Sequence, residues 1–304
     1  MQKVEHEENL SSISAVERDT GLTKDTLRMW ERRYGFPQPF RDAHGERAYP
    51  PEQIEKLRLL KRLLDRGFRP GKIIGLSSGE LSDLGARAVT VEPPRQELEV
   101  FLRLIKSHQV AELRRHLSQT LARQGLQDFV LETVGPLNVS VGEAWMRGFL
   151  AVFEEHLYTE MMQSLLRNAI ASLQSQGRAP RVLMTSLPNE QHSLGLLMLE
   201  ALLAVEGAQC VNLGTETPAP EIAEAASAHR ADIVALSFSA AYSETKAAEG
   251  LRELRGLLPP AALLCAGGAA VARIRKPIEG VELVPSLERM VDIVRQWRAE
   301  RTAY

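Results

Sequence analysis

Several things that would narrow function quickly are scarce in this sequence. Only two of its 304 residues are cysteine, Cys210 and Cys265, far apart and set in apolar runs. Cysteine alone therefore builds no zinc cluster, and two buried thiols in a reducing compartment are expected. Aromatic residues make up 5% of the chain, too few for a groove that stacks single-stranded nucleic acid. No run approaches the roughly 18 uninterrupted apolar residues of a spanning helix, which excludes a membrane span. The opening residues, MQKVEHEENLSS, are polar and acidic and lack the apolar core of a signal peptide. The expectation is a cytoplasmic protein with no membrane partner. No Walker-type or G-x-G-x-x-G loop follows the first strand-like run of the C-terminal half, so nucleotide hydrolysis and a dinucleotide cofactor have no support.

What is present is ordinary in bulk and uneven in detail. The chain is 44% hydrophobic and 25% charged with a formal net charge of −2, and its length suits roughly two or three globular domains. Residues 11–79 hold 14 Lys and Arg against 9 Asp and Glu, whereas residues 80–304 hold 22 against 27. A positive head on a negative body hints at a polyanion partner for the head, although basic helical faces are usually just solvated.

The pattern divides the chain into segments. Residues 1–12 read as a disordered tail and 13–78 as a head of short helices. Residues 79–96, with glycine, a proline pair and little periodicity, read as a linker. Residues 97–178 carry apolar positions at helical spacing, such as Leu98, Phe101, Leu102 and Ile105, and predict a four-helix bundle. Its breaks are expected near Gly125, near Gly135-Pro136 and between Gly142 and Gly148. From 179 to 304, short Val-, Leu- and Ala-rich runs (RVLMTS, QCVNL, DIVALS, ALLCAG, VELV) alternate with amphipathic helices. Apolar strands each followed by a helix predict a five-stranded parallel sheet, covered on both faces and flavodoxin-like (Rossmannoid), with ligands beyond the carboxyl ends of its strands.

In the head, SISAVERDTGLTKDTLRMWERRYG predicts two helices and a tight turn. Ser14 is expected to cap the first, with Ala15, Val16 and Thr20 inward, and Gly21 supplies the positive-φ turn. Thr23 caps the second, which carries Arg28, Arg32 and Arg33 beside Trp30 and Tyr34. Guanidinium groups at this spacing suit phosphate and base-edge contacts. A loop with Arg41, His44 and Arg47 follows and is long enough for a β-wing. The bland alternative is a helical hairpin with solvated arginines.

The run T-L-R-x-W-E-R-R-Y-G, then G-E-R-x-Y and a long helix from Pro51 to Asp65, resembles the winged helix-turn-helix of the MerR family of transcription regulators. That resemblance covers about residues 12–78. It implies that the helix around Thr26 to Arg33 enters the major groove of double-stranded operator DNA and that the wing touches backbone. The implied DNA-facing set is Thr26, Arg28, Arg32, Arg33, Tyr34, Arg41, Arg47 and Tyr49, with Tyr34 and Tyr49 packing the module or touching phosphate. The long dimerising helix usual after this module is absent, so oligomerisation falls to the C-terminal half.

In the C-terminal half, the loop after the first strand contains Glu190-x-His192-x-x-Gly195. A neutral imidazole there can ligate a metal, a carboxylate can hold its other ring nitrogen, and glycine lets a bulky ligand approach the backbone. Alone the motif is weak, since a lone loop histidine is more often solvated. Its spacing is more specific: 41 residues separate Gly195 from Ser237, and 27 separate Ser239 from Gly267-Gly268. This series resembles the D-x-H-x-x-G, S-x-L, G-G pattern of cobalamin-binding domains, with Glu190 in place of Asp and Ser239 in place of Leu. The departure at Ser239 makes the nucleotide-tail pocket slightly more polar and bears on tail specificity.

In the bundle, Trp145 is followed after nine residues by Glu155-His156. On an unbroken helix Trp145 and His156 would share a face about 16 Å apart along the axis. Without context they read as a core aromatic and a polar pair. Beside the other motifs they resemble the W-x9-E-H motif of the cap over the upper face of the corrin. The whole is similar to the cobalamin module of methionine synthase and to the CarH/LitR group of MerR regulators. The resemblance implies a cobalamin cofactor, adenosylcobalamin first and methylcobalamin second. His192 would be the lower cobalt ligand, with Trp145, Glu155 and His156 around the upper one and Glu190, Gly195, Ser237, Ser239, Gly267 and Gly268 lining the pocket. It further implies a repressor, not an enzyme, whose cofactor state or light sensitivity governs a homo-oligomer (dimer or tetramer) formed through the C-terminal module. Met146 stands where several light-sensing members have a second histidine, and a soft thioether is a poor ligand for Co(III). The alternatives are a regulator whose sensor domain has lost its cofactor and a cobalamin-dependent methyltransferase component. His108, His116 and His229 are expected to be solvated on amphipathic helices.

Overall fold

The computed structural model describes residues 10–42, 45–65, 68–87, 96–173 and 177–302. The expected tail falls mostly outside these residues, as does His44. The chain divides into two compact units, a head and a body, and each is described by itself.

In the head, β1 (Ser11–Ser12) leads into α1 (Ile13–Thr20), a tight turn and α2 (Lys24–Tyr34). The cap of α1 is Ser12 rather than Ser14: its hydroxyl accepts from the Ala15 N–H at 3.3 Å. The side chains of Ile13, Val16 and Thr20 are buried, and Ala15 is only half-buried. Gly21 closes α1 at φ +68°, a left-handed conformation that glycine adopts without strain. Thr23 caps α2 by accepting from the Thr26 N–H at 3.2 Å. The wing is a hairpin of β2 (Phe40–Arg41) and β3 (Arg47–Tyr49), and β1 pairs antiparallel with β3 on its other side. The helices α3 (Pro51–Asp65), α4 (Pro70–Ile73) and α5 (Ser78–Arg87) complete the unit. The Asp19 carboxylate clamps α1 to α3 by accepting from Arg58 Nε and Nη2 at 3.1 and 2.6 Å.

Helix α5 corrects the expected linker. Leu81 is buried in the same core as Leu27, Trp30, Leu57 and Leu60. Its start is a reciprocal capping box. Ser77 Oγ accepts from the Glu80 N–H at 3.2 Å, and Glu80 Oε2 accepts from the Ser77 N–H at 2.8 Å.

The body opens with α6 (Gln96–Lys106) and α7 (Val110–Gln124). These are followed by α8 (Leu126–Asp128), a π-helical turn (Phe129–Val134), α9 (Gly135–Met146) and α10 (Val152–Ser172). The expected break at Gly135-Pro136 does not occur. Proline cannot donate to the α-helical ladder, and its ring clashes with the carbonyl four residues back. The π-helical turn just before Gly135 widens the spiral, and the helix runs on. The break expected around Gly142 to Gly148 does occur, between Met146 and Val152. Trp145 and Glu155-His156 therefore lie on two different helices, and the single-helix geometry does not apply.

After the bundle, β4 (Arg178–Thr185), α11 (Leu194–Val205), β5 (Ala208–Asn212), α12 (Ala219–Ala228) and β6 (Ile233–Ser237) alternate. The chain ends with α13 (Glu244–Leu257), β7 (Leu263–Gly267), a 3-10 turn (Val271–Arg273), β8 (Val281–Val284) and α14 (Leu287–Thr302). The sheet is parallel with strand order β5-β4-β6-β7-β8, the flavodoxin-like arrangement expected. Helix α11 is apolar nearly all round because it is buried on both sides. Leu197, Met198, Ala201 and Leu202 join the bundle core with Leu137, Val141 and Met162, while Leu196, Leu199 and Leu203 face the sheet. The Asn138 amide nitrogen, on α9, donates to Met198 Sδ at 3.3 Å and its oxygen accepts from the buried Tyr158 hydroxyl. Of the two cysteines, Cys265 is buried and Cys210 half-buried. Burial pushes both thiols up to about 12, so neither is a thiolate at neutral pH.

Candidate functional site

The topological switch point of the sheet lies between β4 and β6, and doubly wound folds bind ligands at the carboxyl edge there. The residues singled out from the α/β half converge there. Glu190 is 1% exposed, yet its carboxylate is fully engaged: Oε1 accepts from the His192 backbone N–H at 3.0 Å and from His192 Nδ1 at 2.7 Å, and Oε2 accepts from the Ser239 N–H at 2.7 Å. Burial drives this carboxyl upward, but the His192 ring and the two backbone donors outweigh it and hold it below the usual carboxylate range. Glu190 is thus an ionised hydrogen-bond acceptor that fixes a proton on His192 Nδ1 and leaves the lone pair of the neutral ring on Nε2. The His192 side chain is 63% exposed.

The remaining motif residues touch one another. A Cβ on Gly195 would run into Ser237 Oγ, so glycine lets α11 start against the end of β6. Gly268 has φ +99°, and a Cβ there would collide with the backbone of Phe238. The Phe238 N–H donates to the Gly267 carbonyl at 3.0 Å. The three motif elements, up to 78 positions apart from Glu190 to Gly268, form one continuous edge.

Other residues that hold this edge were not singled out from the sequence. Ser186, fully buried, donates to the Glu190 carbonyl at 2.7 Å and accepts from the Glu216 N–H at 3.1 Å. Glu216 Oε1 accepts from the Asn189 N–H at 3.2 Å, and both residues have left-handed φ, +61° and +69°. Such strain in non-glycine residues persists where surrounding structure over-determines it. The Tyr242 hydroxyl donates to the Pro188 carbonyl at 3.1 Å. No local pattern marks the Ser186–Glu216, Asn189–Glu216 and Tyr242–Pro188 contacts, because each joins loops from different strands.

In the bundle, Trp145 packs partly buried against the core at the end of α9. Glu155 accepts from the Thr159 hydroxyl at 2.7 Å, and His156 is 70% exposed, with Nε2 3.7 Å from Glu155. The buried acid here is the neighbouring Glu154. It accepts from the Ala151 N–H at 2.6 Å, from Lys106 Nζ at 3.1 Å and from His108 Nε2 at 2.9 Å. His108 is therefore no simply solvated helix residue. It lies in the turn between α6 and α7 at φ +57° and ties that turn to the start of α10.

In the head, α2 presents Arg28, Arg32 and Arg33 to solvent, with Thr26 half-buried. Arg28 donates to Asp25 at 3.3 Å, Arg33 lies 5.3 Å from the Tyr34 ring centre, and Arg41 donates to the Gly45 carbonyl at 2.8 Å across the wing. Arg47 is committed within the protein: its Nε donates to Glu31 Oε2 at 2.8 Å, linking wing to α2. Tyr49, placed in the DNA-facing set by the sequence, is fully buried in the core. Along β3 Arg47 is half-buried while Ala48 and Tyr49 are buried, so the end of the strand packs into the core. Burial raises its phenol pKa.

Comparison with known proteins agrees with this layout. Residues 11–80 match the family described as MerR HTH family regulatory protein, and residues 97–169 and 180–277 each match a B12 binding domain. The HTH-type transcriptional repressor CarH of Myxococcus xanthus is 31% identical over 257 residues, 82% of this chain and 86% of the relative. The repressor CarA of the same organism is 30% identical over 294 residues, 94% of this chain and 96% of the relative. The chain belongs to the CarH/CarA family of MerR-type regulators. As a member it joins a DNA-binding helix-turn-helix head to a helical B12-binding cap and a five-stranded B12-binding sheet domain. A monomethylamine corrinoid protein of Methanosarcina barkeri shares the fold, with a TM-score of 0.51 at 17% identity, covering 66% of this chain and 98% of that one. No helix among the described residues is long and apolar enough to cross a membrane.

The residues present suit a corrinoid. A corrinoid's cobalt would accept a nitrogen donor from the protein, and an imidazole oriented by a buried carboxylate suits that role. The edge beside it is glycine-rich, and one buried hydroxyl there, Ser239 Oγ, has no hydrogen-bond partner among the described residues.

Proposed function

We propose that this chain is a cobalamin-dependent repressor whose cofactor state, light included, controls its assembly and hence operator binding. The observation that carries the reading is the Glu190–His192 pair, 2.7 Å apart and joined through Glu190 to Ser239 at the carboxyl edge of the sheet. In this reading His192 ligates cobalt from below through Nε2. Gly195, Ser237, Ser239, Gly267 and Gly268 accommodate the nucleotide tail, and Trp145, Glu155 and His156 face the upper ligand. Adenosylcobalamin is the favoured form, with methylcobalamin second. Bound there, the adenosyl form would supply a cobalt–carbon bond that light breaks. Met146, in place of a second histidine, argues for sensing without a light-trapped bis-histidine state.

Coupling to DNA follows from valence. Two heads on two half-sites gain avidity only while the bodies hold them together, so a cofactor that favours the assembled state favours operator binding. On the DNA, α2 would enter the major groove with Thr26, Arg28, Arg32, Arg33 and Tyr34 near it. Arg41 would reach the backbone from the wing, and Arg47 would brace the wing through Glu31 and contact phosphate. The body alone would also suit a methyl-group carrier, but the helix-turn-helix head favours regulation.

The test mixes the protein with adenosylcobalamin in darkness, desalts it, records the spectrum, illuminates with green light and repeats the series with His192→Ala. Retained corrin bands that shift or vanish in His192→Ala are expected, with oligomer size following the light. Loss of all corrin from the wild type on desalting overturns the cofactor reading in favour of a cofactor-free regulator.

A further inference from the structure

Ser239 stands out along the whole edge. Its backbone is pinned on both sides: its N–H donates to Glu190 Oε2 at 2.7 Å, and the preceding Phe238 N–H donates to the Gly267 carbonyl at 3.0 Å. Only rotation about its own side chain can move the hydroxyl. That Oγ is buried with no partner among the described residues, a costly state that native structures rarely tolerate without a reason. The pattern this loop follows carries an apolar leucine at the same position, for which no such cost arises. The neighbouring backbone is Gly267-Gly268, which offers no side chain to satisfy it.

Ser239 is also linked to the candidate metal ligand. One carboxylate, Glu190, bonds both the Ser239 backbone and the His192 ring. Glu190 thus ties the Ser239 loop directly to the candidate metal ligand. We propose that Ser239 is a specificity-determining residue. Its hydroxyl takes its missing hydrogen bond from the nucleotide tail of the corrinoid, and it favours a tail ending in a purine over one ending in the apolar dimethylbenzimidazole. A purine edge offers donors and acceptors that the methylated benzimidazole ring lacks. A polar group left unpaired in the complex discriminates more strongly than a missing apolar contact. This inference rests on the cobalamin reading above.

The experiment measures dark dissociation constants of adenosylcobalamin, its adenine-tailed analogue and tail-less adenosylcobinamide for the wild type, Ser239→Ala and Ser239→Leu. The adenine-to-dimethylbenzimidazole affinity ratio is expected to fall about tenfold in both variants, the worth of one hydrogen bond. Adenosylcobinamide affinity should stay unchanged in Ser239→Ala. An unchanged ratio overturns the proposal, as does an equal loss for adenosylcobinamide, which would place the hydroxyl's role at the ring. If the wild type retains none of the three corrinoids, the cobalamin reading itself fails and takes this inference with it. Ser239→Ala guards against misfolding of the larger leucine variant.

Discussion

The Glu190 carboxylate grips His192 twice, at its backbone N–H (3.0 Å) and at Nδ1 (2.7 Å), while its second oxygen accepts from the Ser239 N–H. One buried acid thus orients the candidate cobalt ligand and fastens its loop to the end of β6. Glu190→Gln keeps the shape but sets an amide N–H against one of these donors. Corrinoid affinity is expected to fall about 10- to 100-fold, read by equilibrium binding of adenosylcobalamin in darkness. Wild-type affinity in this variant would remove Glu190 from the orienting role.

Acid should loosen the body. Burial pushes both Glu154 and Glu190 upward, but hydrogen bonds to the charged form win and hold both below the usual carboxylate range. Between the folded and unfolded pKa values the folded protein binds fewer protons. The stability these groups contribute is therefore complete above the unfolded value and lost as pH falls through the folded one. Thermal melts across that acidic window should show a falling Tm, and Glu154→Gln, which cannot titrate, should flatten part of the slope. Parallel curves for wild type and variant would refute this.

Glu154 also makes a structural prediction. Replacing it by Leu leaves the Ala151 N–H unpaired and releases Lys106 and His108. Since those partners are about half exposed, the cost is expected to be about 1–3 kcal/mol. Urea unfolding of the full chain measures it, and a change within about 0.5 kcal/mol would count against the joint.

The head separates exposed arginines from buried tyrosine. Arg32→Ala should weaken binding to a duplex taken from upstream of the chain's own gene and reduce the salt slope by about one. Tyr49→Phe removes only a buried hydroxyl without a partner among the described residues, so DNA affinity should be unchanged and stability equal or higher. A Tyr49→Phe head that melts normally but loses DNA would restore Tyr49 to the interface.

Helix α5 belongs to the head's core, so Leu81→Ala should destabilise that unit by about 2–5 kcal/mol. Hydrogen exchange of α3 and α5 in the full chain reads the loss, and unchanged protection there would return residues 78–87 to linker status.

What the sequence alone determined is whatever repeats or stays local. The alternation of apolar strand and amphipathic helix follows from burial on both faces of a parallel sheet, so it dictated a parallel sheet with Ser237 and Gly267 at its strand ends. Thr23 and Gly21 act on their own neighbours, so cap and turn were legible as well. The capping box at Ser77–Glu80 was equally local but lay masked by the glycine and prolines around it. Tertiary structure alone decided the rest. Glu31 captures Arg47, Ser186 and Glu216 brace the Glu190 loop, and Glu154 collects Lys106 and His108 across 46 to 48 positions. The π-helical turn carried the chain past Pro136, where a break was expected. Partners that are distant in sequence leave no periodic trace, since their contact depends on which strands and helices become neighbours once the core has closed.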